Sequence, residues 1–237
     1  MKPGILFDLG NTLAAYYRPE QFLPILRVAI ADLLAELRKR GLARVSFEDA
    51  FSIAEAENVE ATDFRFTPMA ERLGRIFRLP PDADPASSDA LCEIFLRPIF
   101  AVGRLYDDTI PTLRRLRADG YPLAIVSNSP WGSPPDRWRV ELQRLRLAQC
   151  VDEIVFCGDV GWRKPAPEIF RFAASALNRR PNDCIFVGDD LQWDIGGSEA
   201  VGMRAVLLDR AQRHQNHPGE RFEDLYEFLE HFGVGHR

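Results

Sequence analysis

The hydrophobic positions of the chain follow different periods in its two halves. In residues 19–40 the apolar side chains recur every three or four positions, the spacing of a helix that buries one face. From about residue 103 onward, short apolar runs alternate with helical stretches, as in strands joined by helical crossovers. Residues 5–7 form one more such run near the N-terminus. The pattern predicts a parallel sheet whose first strand is separated from the others by a long helical segment.

Four stretches before residue 102 have helical periodicity. They are residues 19–40, about 46–58, 67–77 and 88–95, with a Pro- and Asp-rich loop at residues 80–85. Gly41 is a typical residue for ending the first helix. Ser46, followed by Asp49 three positions later, is a weaker form of the capping box and indicates the start of the second. Because no convincing strand occurs between Leu13 and Val102, we expect an all-helical insert in a fold that resumes afterwards.

The second half of the chain alternates strands and helices. The predicted strands are residues 122–126, 153–156, 184–187 and 204–208, and the predicted helices are residues 110–118, 136–147, 168–177 and 194–201. Apolar side chains from Phe222 to Phe232 recur at helical spacing and predict a final amphipathic helix. Right-handed crossovers place the loops that follow these strands at one edge of the sheet. A shared site at that edge is therefore expected.

The composition indicates an ordinary globular protein. Apolar residues make up 46% of the 237 positions and charged residues 27%, and the net charge of −5 argues against a nucleic-acid surface. No apolar run approaches the ~20 residues of a membrane span, and no signal peptide is recognised. The four cysteines lack CxxC spacing and are expected to be buried, reduced thiols. We expect a cytoplasmic protein without nucleic-acid or membrane partners; nothing in the sequence indicates its oligomeric state.

The first predicted strand delivers one carboxylate, Asp8, to a turn that contains Gly10 and Asn11. In an open α/β sheet, ligands bind at the carboxyl ends of the strands. A carboxylate there can serve as a nucleophile or as a metal ligand. The alternative is that Asp8 only caps the turn. The residues at the other strand ends are needed to distinguish these interpretations.

A loop rich in carboxylates follows the strand predicted at residues 184–187. Asp189, Asp190 and Asp194 lie within six positions, and such a loop suits Mg²⁺, which prefers oxygen ligands. Asp194 is also placed to cap the next helix. Capping does not account for Asp189, which precedes the turn, and the pattern therefore favours a metal site.

Two further strand ends carry groups that suit an anion. Ser127 and Asn128 offer hydroxyl, amide and backbone donors that can hold phosphate oxygens, although both are also common turn formers. Lys164 is one of only three lysines in the chain. It could neutralise an anion as a point charge or be a solvated loop residue.

Four segments, taken together and in order, resemble the motifs of the haloacid dehalogenase (HAD) superfamily. They are FDLGNTL, IVSNS, GWRKPAPEIF and FVGDDLQWDIGGSEAVGM. The helical insert after the first motif resembles the cap of subfamily I. The resemblance covers nearly the whole chain and implies an α/β fold, with a Rossmann-like parallel sheet core (residues 1–14 and 103–237). It also implies an inserted all-helical cap domain, residues 15–102, moving about hinges near residues 14–18 and 97–104.

The resemblance also implies roles for the motif residues. Asp8 resembles the nucleophile, which forms a covalent aspartyl intermediate. Asp8, the backbone carbonyl of Gly10 and Asp189 would hold Mg²⁺. Asp194 would complete the metal site by supporting the ligands and waters around it, with Asp190 as a further candidate.

In the same scheme, Ser127 would hydrogen-bond the transferring phosphoryl group and Lys164 would balance the charge between that group and Asp8. Catalysis in such a site consists mostly of positioning and electrostatics. The further candidates for substrate contact are Asn128, Gly10, Arg18 and Trp131, and beside them Tyr16, Tyr17 and Arg137. The aromatic and basic loop residues among these candidates can equally be packing or solvated side chains: Tyr16, Tyr17, Arg18, Trp131 and Arg137.

Position 10 departs from the pattern of the family's phosphatases. These usually carry a second Asp two residues after the nucleophile as general acid and base, and here the residue is Gly10. The dehalogenase branch also lacks that Asp, but its last motif is poorer in carboxylates and binds no metal. Phosphonatases use a cap lysine as a Schiff base, whereas Lys39, the only lysine of the insert, resembles a solvated helix end.

The sequence is therefore interpreted as a Mg²⁺-dependent phosphatase of a small phosphorylated metabolite, slow on alkyl phosphates and better with good leaving groups. A dehalogenase- or phosphonatase-like hydrolase is the alternative enzyme. A catalytically weak member that binds phosphometabolites or a protein partner is the alternative from another class. The identity of the substrate is not encoded in these motifs.

Overall fold

The computed structural model describes residues 1–57, 62–80 and 85–232 of the chain. In chain order, the strands in this part are β1 (Gly4–Phe7), β2 (Ala14–Ala15), β3 (Arg104–Leu105), β4 (Leu123–Ser127), β5 (Glu153–Phe156), β6 (Cys184–Gly188), β7 (Arg204–Leu208) and β8 (Glu220–Phe222). Six of the described strands form one parallel sheet in the order β5-β4-β1-β6-β7-β8. The predicted parallel α/β sheet is confirmed, with the first strand at its centre.

The helices before the second strand of this sheet are α1 (Pro19–Lys39), α2 (Phe47–Glu57), α3 (Met69–Phe77), α4 (Pro85–Val102) and α5 (Thr109–Ala118). Those that follow are α6 (Pro135–Arg144), α7 (Cys157–Val160), α8 (Pro167–Ala176), α9 (Gly197–Glu199) and α10 (Leu225–His231). In the part of the chain that the structure describes, no helix combines the length and apolarity needed to cross a membrane.

The central strand is buried on both faces, as expected for a parallel sheet covered by helices. In β1, Ile5 and Phe7 pack in one hydrophobic cluster, while Leu6 packs in a second. Because successive side chains point to opposite faces of a strand, the two clusters cover opposite faces of the sheet. The first cluster continues into α1 and α4, so one core joins the sheet to the helical segment formed by α1–α4.

The helical segment follows its sequence signals closely at most helix ends. Gly41 has a φ of 69° just after α1, and the Ser46 hydroxyl accepts a hydrogen bond from the Asp49 amide at 3.0 Å. The fourth helix is longer than the prediction of residues 88–95, because apolar contacts continue along α4 to Ile99. Residue 58 and most of the loop predicted at residues 80–85 lie outside the described residues.

A short antiparallel ladder joins the two ends of the helical segment, with Ala14 opposite Leu105 and Ala15 opposite Arg104. The prediction of no strand between Leu13 and Val102 is thus wrong at Ala14–Ala15. Two residues are too few to show alternation, and their partner strand comes much later in the sequence. This ladder is separate from the main sheet, to which the helical segment adds no strand among the described residues.

Two further predictions near the C-terminus are corrected. Phe222 lies in β8, parallel to β7, and not in the final helix, which begins at Leu225. The helix predicted at residues 194–201 is a π-helical turn, Leu191–Gly196, followed by the short α9. Both errors arise because three- and four-residue apolar spacing does not distinguish a turn or an edge strand from the start of a helix.

The segment between α2 and α3 pairs with the loop after α7. The Arg163 amide donates to the Phe64 carbonyl at 2.9 Å, and the Phe66 amide donates to the Gly161 carbonyl at 3.1 Å. The Arg65 guanidinium lies 4.0 Å from the centre of the Trp162 ring. We call this pairing of residues 64–66 with residues 161–163 the clasp. It holds the helical segment against the loop that carries Lys164.

Candidate active site

A cavity of about 580 Å³ lies at the carboxyl edge of the sheet, where β1, β4 and β6 end. The predicted site residues line it, except for three of the candidates for substrate contact: Tyr16, Arg18 and Arg137. The expectation of a shared site at this edge is therefore met by the geometry. The roles assigned to the individual residues remain predictions.

The register of the sheet explains why distant parts of the chain meet here. Phe7, the last residue of β1, lies opposite Ile125 of β4 and Val187 of β6. The Asp8 amide donates to the Val187 carbonyl at 2.9 Å. Asp8 therefore leaves the sheet between the ends of β4 and β6, beside the loop that contains Asp189.

Lys164 connects two carboxylates at the centre of the cavity. Its Nζ lies 2.5 Å from Asp8 Oδ1 and 2.6 Å from Asp194 Oδ1. All three side chains are buried, with Lys164 only 3% exposed. Burial by itself would lower the pKa of Lys164, but Asp194 and Asp8 outweigh it and keep the pKa above its ordinary value. The interpretation as a solvated loop residue is thereby excluded.

Asp194 does not cap the helix that follows it, contrary to the sequence-based expectation. Its Oδ2 accepts from the amides of Asp189 and Asp190, both at 3.1 Å, while Oδ1 contacts Lys164. The cap is supplied by Asp190, whose side chain accepts from the Gln192 and Trp193 amides. Asp194 thus turns back toward the strand end and fixes the loop that holds Asp189.

Asp189 adds a third carboxylate beside Asp8 and Asp194, and the ligand oxygens of the three lie within 4.8 Å of one another. Among the described residues, the Asp189 carboxylate has no ion-pair partner within 4.0 Å. Burial, and then the negative charges of Asp8 and Asp194, raise the pKa of Asp189 to about 8. Burial also raises the pKa of Asp194 to about 6, against the lowering effect of Lys164. One lysine does not compensate three carboxylates, and these oxygen donors fit a hard divalent cation such as Mg²⁺.

Gly10 leaves open space where the resembling phosphatases carry a carboxylate. A Cβ built on Gly10 would have no neighbour within 4 Å, and its φ is not positive. Between the described residues, no hydrogen bond is donated to the Gly10 carbonyl. That oxygen is therefore available as a ligand, and the position could accept a side chain without backbone strain.

The two residues at the end of β4 point to different partners. Ser127 is 6% exposed and lines the cavity, with its hydroxyl 3.3 Å from the Asn128 carbonyl. Asn128 is engaged with Lys164: its Oδ1 accepts from the Lys164 amide at 2.8 Å and its Nδ2 donates to the Lys164 carbonyl at 3.2 Å. Ser127 is thus free to face an anion, while the Asn128 side chain holds the neighbouring loop.

The side of the cavity away from the strand ends is aromatic. The ring of Phe22 lies 5.9 Å from that of Tyr17 and 6.3 Å from that of Trp131. Phe95 of α4 supports Trp131 at 5.1 Å. Trp131 has a φ of 60°, and next to it Gly132 allows the Thr67 carbonyl to approach where a Cβ would overlap it. We call Tyr17, Phe22 and Trp131 the aromatic wall.

Some candidates lie elsewhere, and some lining residues escaped the sequence analysis. Arg18 is exposed at the N-terminus of α1, Arg137 pairs with Glu93 at 3.1 Å, and Tyr16 packs on Trp138. The residues missed are Asn11, Phe22, Ser129, Pro130, Arg163 and Trp193. Four of them lie inside the motif segments and could have been included on that ground: Asn11, Ser129, Arg163 and Trp193. Pro130 directly follows a motif, whereas Phe22 carried only the signal of a helix core position.

The fold is that of an α/β protein, with the Asp8 carboxylate at the end of the central strand and an acidic loop at the same edge of the sheet. A sequence model of the haloacid dehalogenase-like hydrolases matches residues 3–202. The chain belongs to this family, as its motifs indicated.

Relatives within the family include named phosphatases. Phosphoserine phosphatase of Thermus thermophilus is 30% identical over 94% of this chain and 96% of its own length. Glyceraldehyde 3-phosphate phosphatase of Methanopyrus kandleri is 33% identical, over 60% of this chain and 59% of the relative. A HAD phosphatase structure from Thermococcus onnurineus has a TM-score of 0.70 and 26% identity, covering 99% of both chains. (S)-2-Haloacid dehalogenases are also among the relatives.

Proposed function

We propose that the protein is a Mg²⁺-dependent phosphatase that hydrolyses a small phosphorylated metabolite through an aspartyl-phosphate on Asp8. The observation that carries this proposal is the group formed by Asp8, Asp189 and Asp194, in which a single lysine faces two buried carboxylates and a partly buried one. The phosphatase names of relatives point the same way.

In the first step, Asp8 attacks phosphorus and the bond to the leaving oxygen breaks. The Ser127 hydroxyl binds a phosphoryl oxygen, and Lys164 balances the negative charge that Asp8 and the phosphoryl group bring together. When bound at Asp8, Asp189 and the Gly10 carbonyl, with Asp194 behind them, Mg²⁺ would supply charge neutralisation and orient the phosphoryl group. Water then attacks the aspartyl-phosphate and releases phosphate.

No carboxylate at position 10 can protonate the leaving oxygen in this scheme. The group that leaves must therefore depart as an anion or take its proton from water. We propose that the enzyme favours substrates whose leaving group has a low pKa, such as acyl or aryl phosphates, over alkyl phosphates.

We further propose that residues 15–102 act as a cap over the cavity. The β2–β3 ladder provides a two-stranded connection to the core, and Tyr17 and Phe22 bring part of this segment to the cavity. Closing it would exclude water from the reacting groups until the substrate is seated.

A dehalogenase would use the same nucleophile without a metal or a leaving-group proton. The open space at Gly10 suits that reaction, but the uncompensated Asp189 carboxylate favours the phosphatase. The two activities can thus be distinguished by experiment, because the phosphatase requires a divalent cation and the dehalogenase does not.

The test measures Mg²⁺ binding by calorimetry and hydrolysis of 4-nitrophenyl phosphate in the wild type, Asp8→Asn and Asp189→Asn. Asp8→Asn should reduce turnover by at least about 10³-fold, because the nucleophile is lost. Asp189→Asn should lose most of the Mg²⁺ affinity. Asp183→Asn, an exposed position paired with Arg180, is the matched control and should change neither. Equal Mg²⁺ affinity in Asp189→Asn and wild type, with chloride released from 2-chloropropionate, would replace the proposal by the dehalogenase.

A further inference from the structure

Lys164 reaches two carboxylates from a loop without regular secondary structure. The loop lies between α7 and α8, and Lys164 is 3% exposed within it. A lysine has a long, flexible side chain, so contacts of 2.5 and 2.6 Å to two different acids require that its backbone be held in place. The question is which groups hold it.

The Asn128 side chain binds both sides of the Lys164 residue. Its Oδ1 accepts from the Lys164 amide at 2.8 Å, and its Nδ2 donates to the Lys164 carbonyl at 3.2 Å. A carboxamide can make this pair because it carries an acceptor and a donor side by side. A hydroxyl carries its donor and its acceptor on a single atom, and an ionised carboxylate has no donor.

The clasp holds the preceding residues from the other side. It engages the backbone of Gly161 and Arg163 but makes no bond to Lys164 itself among the described residues. Asn128 is therefore the link between Lys164 and the end of β4, where Ser127 faces the cavity.

We infer that Asn128 is a positioning residue for Lys164, and that its effect on the reaction passes through the lysine. This inference rests on the proposed phosphatase for its kinetic part only. It also revises the expectation that Asn128 binds substrate, because both functional groups of its amide are already engaged.

The test measures the chemical accessibility of Lys164, which is practical because the chain contains few lysines. Lys2, Lys39 and Lys164 are the only ones in the chain, and Lys39 is 76% exposed at its side chain. Reductive methylation with formaldehyde and a borane, followed by peptide mass spectrometry, measures the extent of labelling of all three lysines in one sample. In the wild type Lys2 and Lys39 should be methylated and Lys164 protected.

In Asn128→Ala the labelling of Lys164 should rise at least several-fold while that of Lys2 and Lys39 stays the same. Asn128→Asp keeps an acceptor for the Lys164 amide and loses the donor, so its labelling should be intermediate. Asn182→Ala, at the opposite edge of the sheet near Gly202, is the matched control and should leave Lys164 protected. If Asn128→Ala does not fold, Asn128→Asp alone decides: protection equal to the wild type would overturn the inference.

Kinetics on 4-nitrophenyl phosphate separate positioning from substrate contact. Positioning predicts a loss of kcat of up to about 10²-fold with little change of KM. A raised KM with unchanged kcat and a protected Lys164 would show that Asn128 contacts substrate, and would overturn the inference. If the wild type lacks phosphatase activity, the proposed function fails, and the methylation result still decides whether Asn128 holds Lys164.

Discussion

The two sides of the cavity are built on different principles. On the strand side, charged groups are buried and held by short contacts, as Lys164 is between Asp8 and Asp194. On the other side, Phe22 and Trp131 form an apolar surface with ring centres 6.3 Å apart. On the strand side, each buried charge is stabilised by the opposite charge beside it. The aromatic wall is stabilised by packing, so one side chain can be shortened without leaving a buried charge unpaired.

This difference suggests that the strand side serves phosphoryl transfer and that the aromatic wall recognises the rest of the substrate. Removing one member of a buried charged group leaves another unpaired, which is costly. Loss of one aromatic contact is a smaller, local change. Substitutions on the strand side should therefore alter kcat strongly, and those in the aromatic wall should alter KM modestly.

The largest expected effect comes from adding a group on the strand side. Gly10→Asp should raise turnover of alkyl phosphates by up to ~10²–10⁴, because it supplies the missing general acid and base. The open space around Gly10 and its ordinary φ permit this substitution. The measurement is kcat on an alkyl and an aryl phosphate, with a smaller gain expected for the aryl ester.

Gly10→Asn is the matched variant for this test, since it has the same shape without the titratable carboxyl. It should give no gain on alkyl phosphates. A folded Gly10→Asp without any gain, or a wild type equally fast on both esters, would mean that another group supplies the proton.

A smaller effect is expected in the aromatic wall. Phe22→Ala should raise KM for an aryl phosphate roughly 2- to 10-fold, the range that one aromatic contact supplies, with kcat little changed. Phe172→Ala is the control, because Phe172 is 48% exposed on α8. A loss confined to kcat in Phe22→Ala would break the proposed division between the two sides.

The smallest expected effect concerns stability and pH. The pKa of Asp189 is about 8 in the folded protein, above its ordinary value of 3.8, so the folded state holds a proton that the unfolded state has already lost. Stability of the metal-free protein should therefore fall as pH rises from about 4 to 8, with a change in Tm on the order of a few °C. Thermal melts at several pH values measure this.

Two comparisons make that melting experiment specific. Mg²⁺ should flatten the pH dependence, because a cation stabilises the ionised carboxylates. Asp189→Asn without metal should also flatten it. A wild-type Tm that rises across this pH range would contradict the burial of an uncompensated Asp189.

Part of the strand side could be predicted from the sequence because several of its residues lie at or just after the end of an apolar run. Asp8, Ser127 and Asp189 are examples, since the register of a parallel sheet brings successive strand ends together. The direction of a side chain within a loop is not encoded in this way. Asp194 therefore looked like a helix cap although it binds Lys164 and the Asp189 amide.

The aromatic wall was much less predictable. Phe22 has the spacing of a core residue in α1, and its place at the cavity depends on how the helical segment packs on the sheet. The β2–β3 ladder escaped prediction for the same reason, since each strand is defined only by a partner far away in the sequence. Local patterns describe elements, while contacts between distant elements require the packed structure.

The central place of β1 has a consequence for the way the chain acquires its activity. β1 precedes the other strands of its sheet in the chain, yet both of its neighbours, β4 and β6, come from the second half of the sequence. Helices α1–α4 lie in one continuous segment of the chain, in which consecutive helices contact one another and α1 packs on α4. This segment can form early, whereas the sheet closes late because the neighbours of β1 are still farther away in sequence. We therefore expect Asp8 to meet Lys164 and Asp189 only in the last stages of folding, so that partly folded chains carry no partial activity.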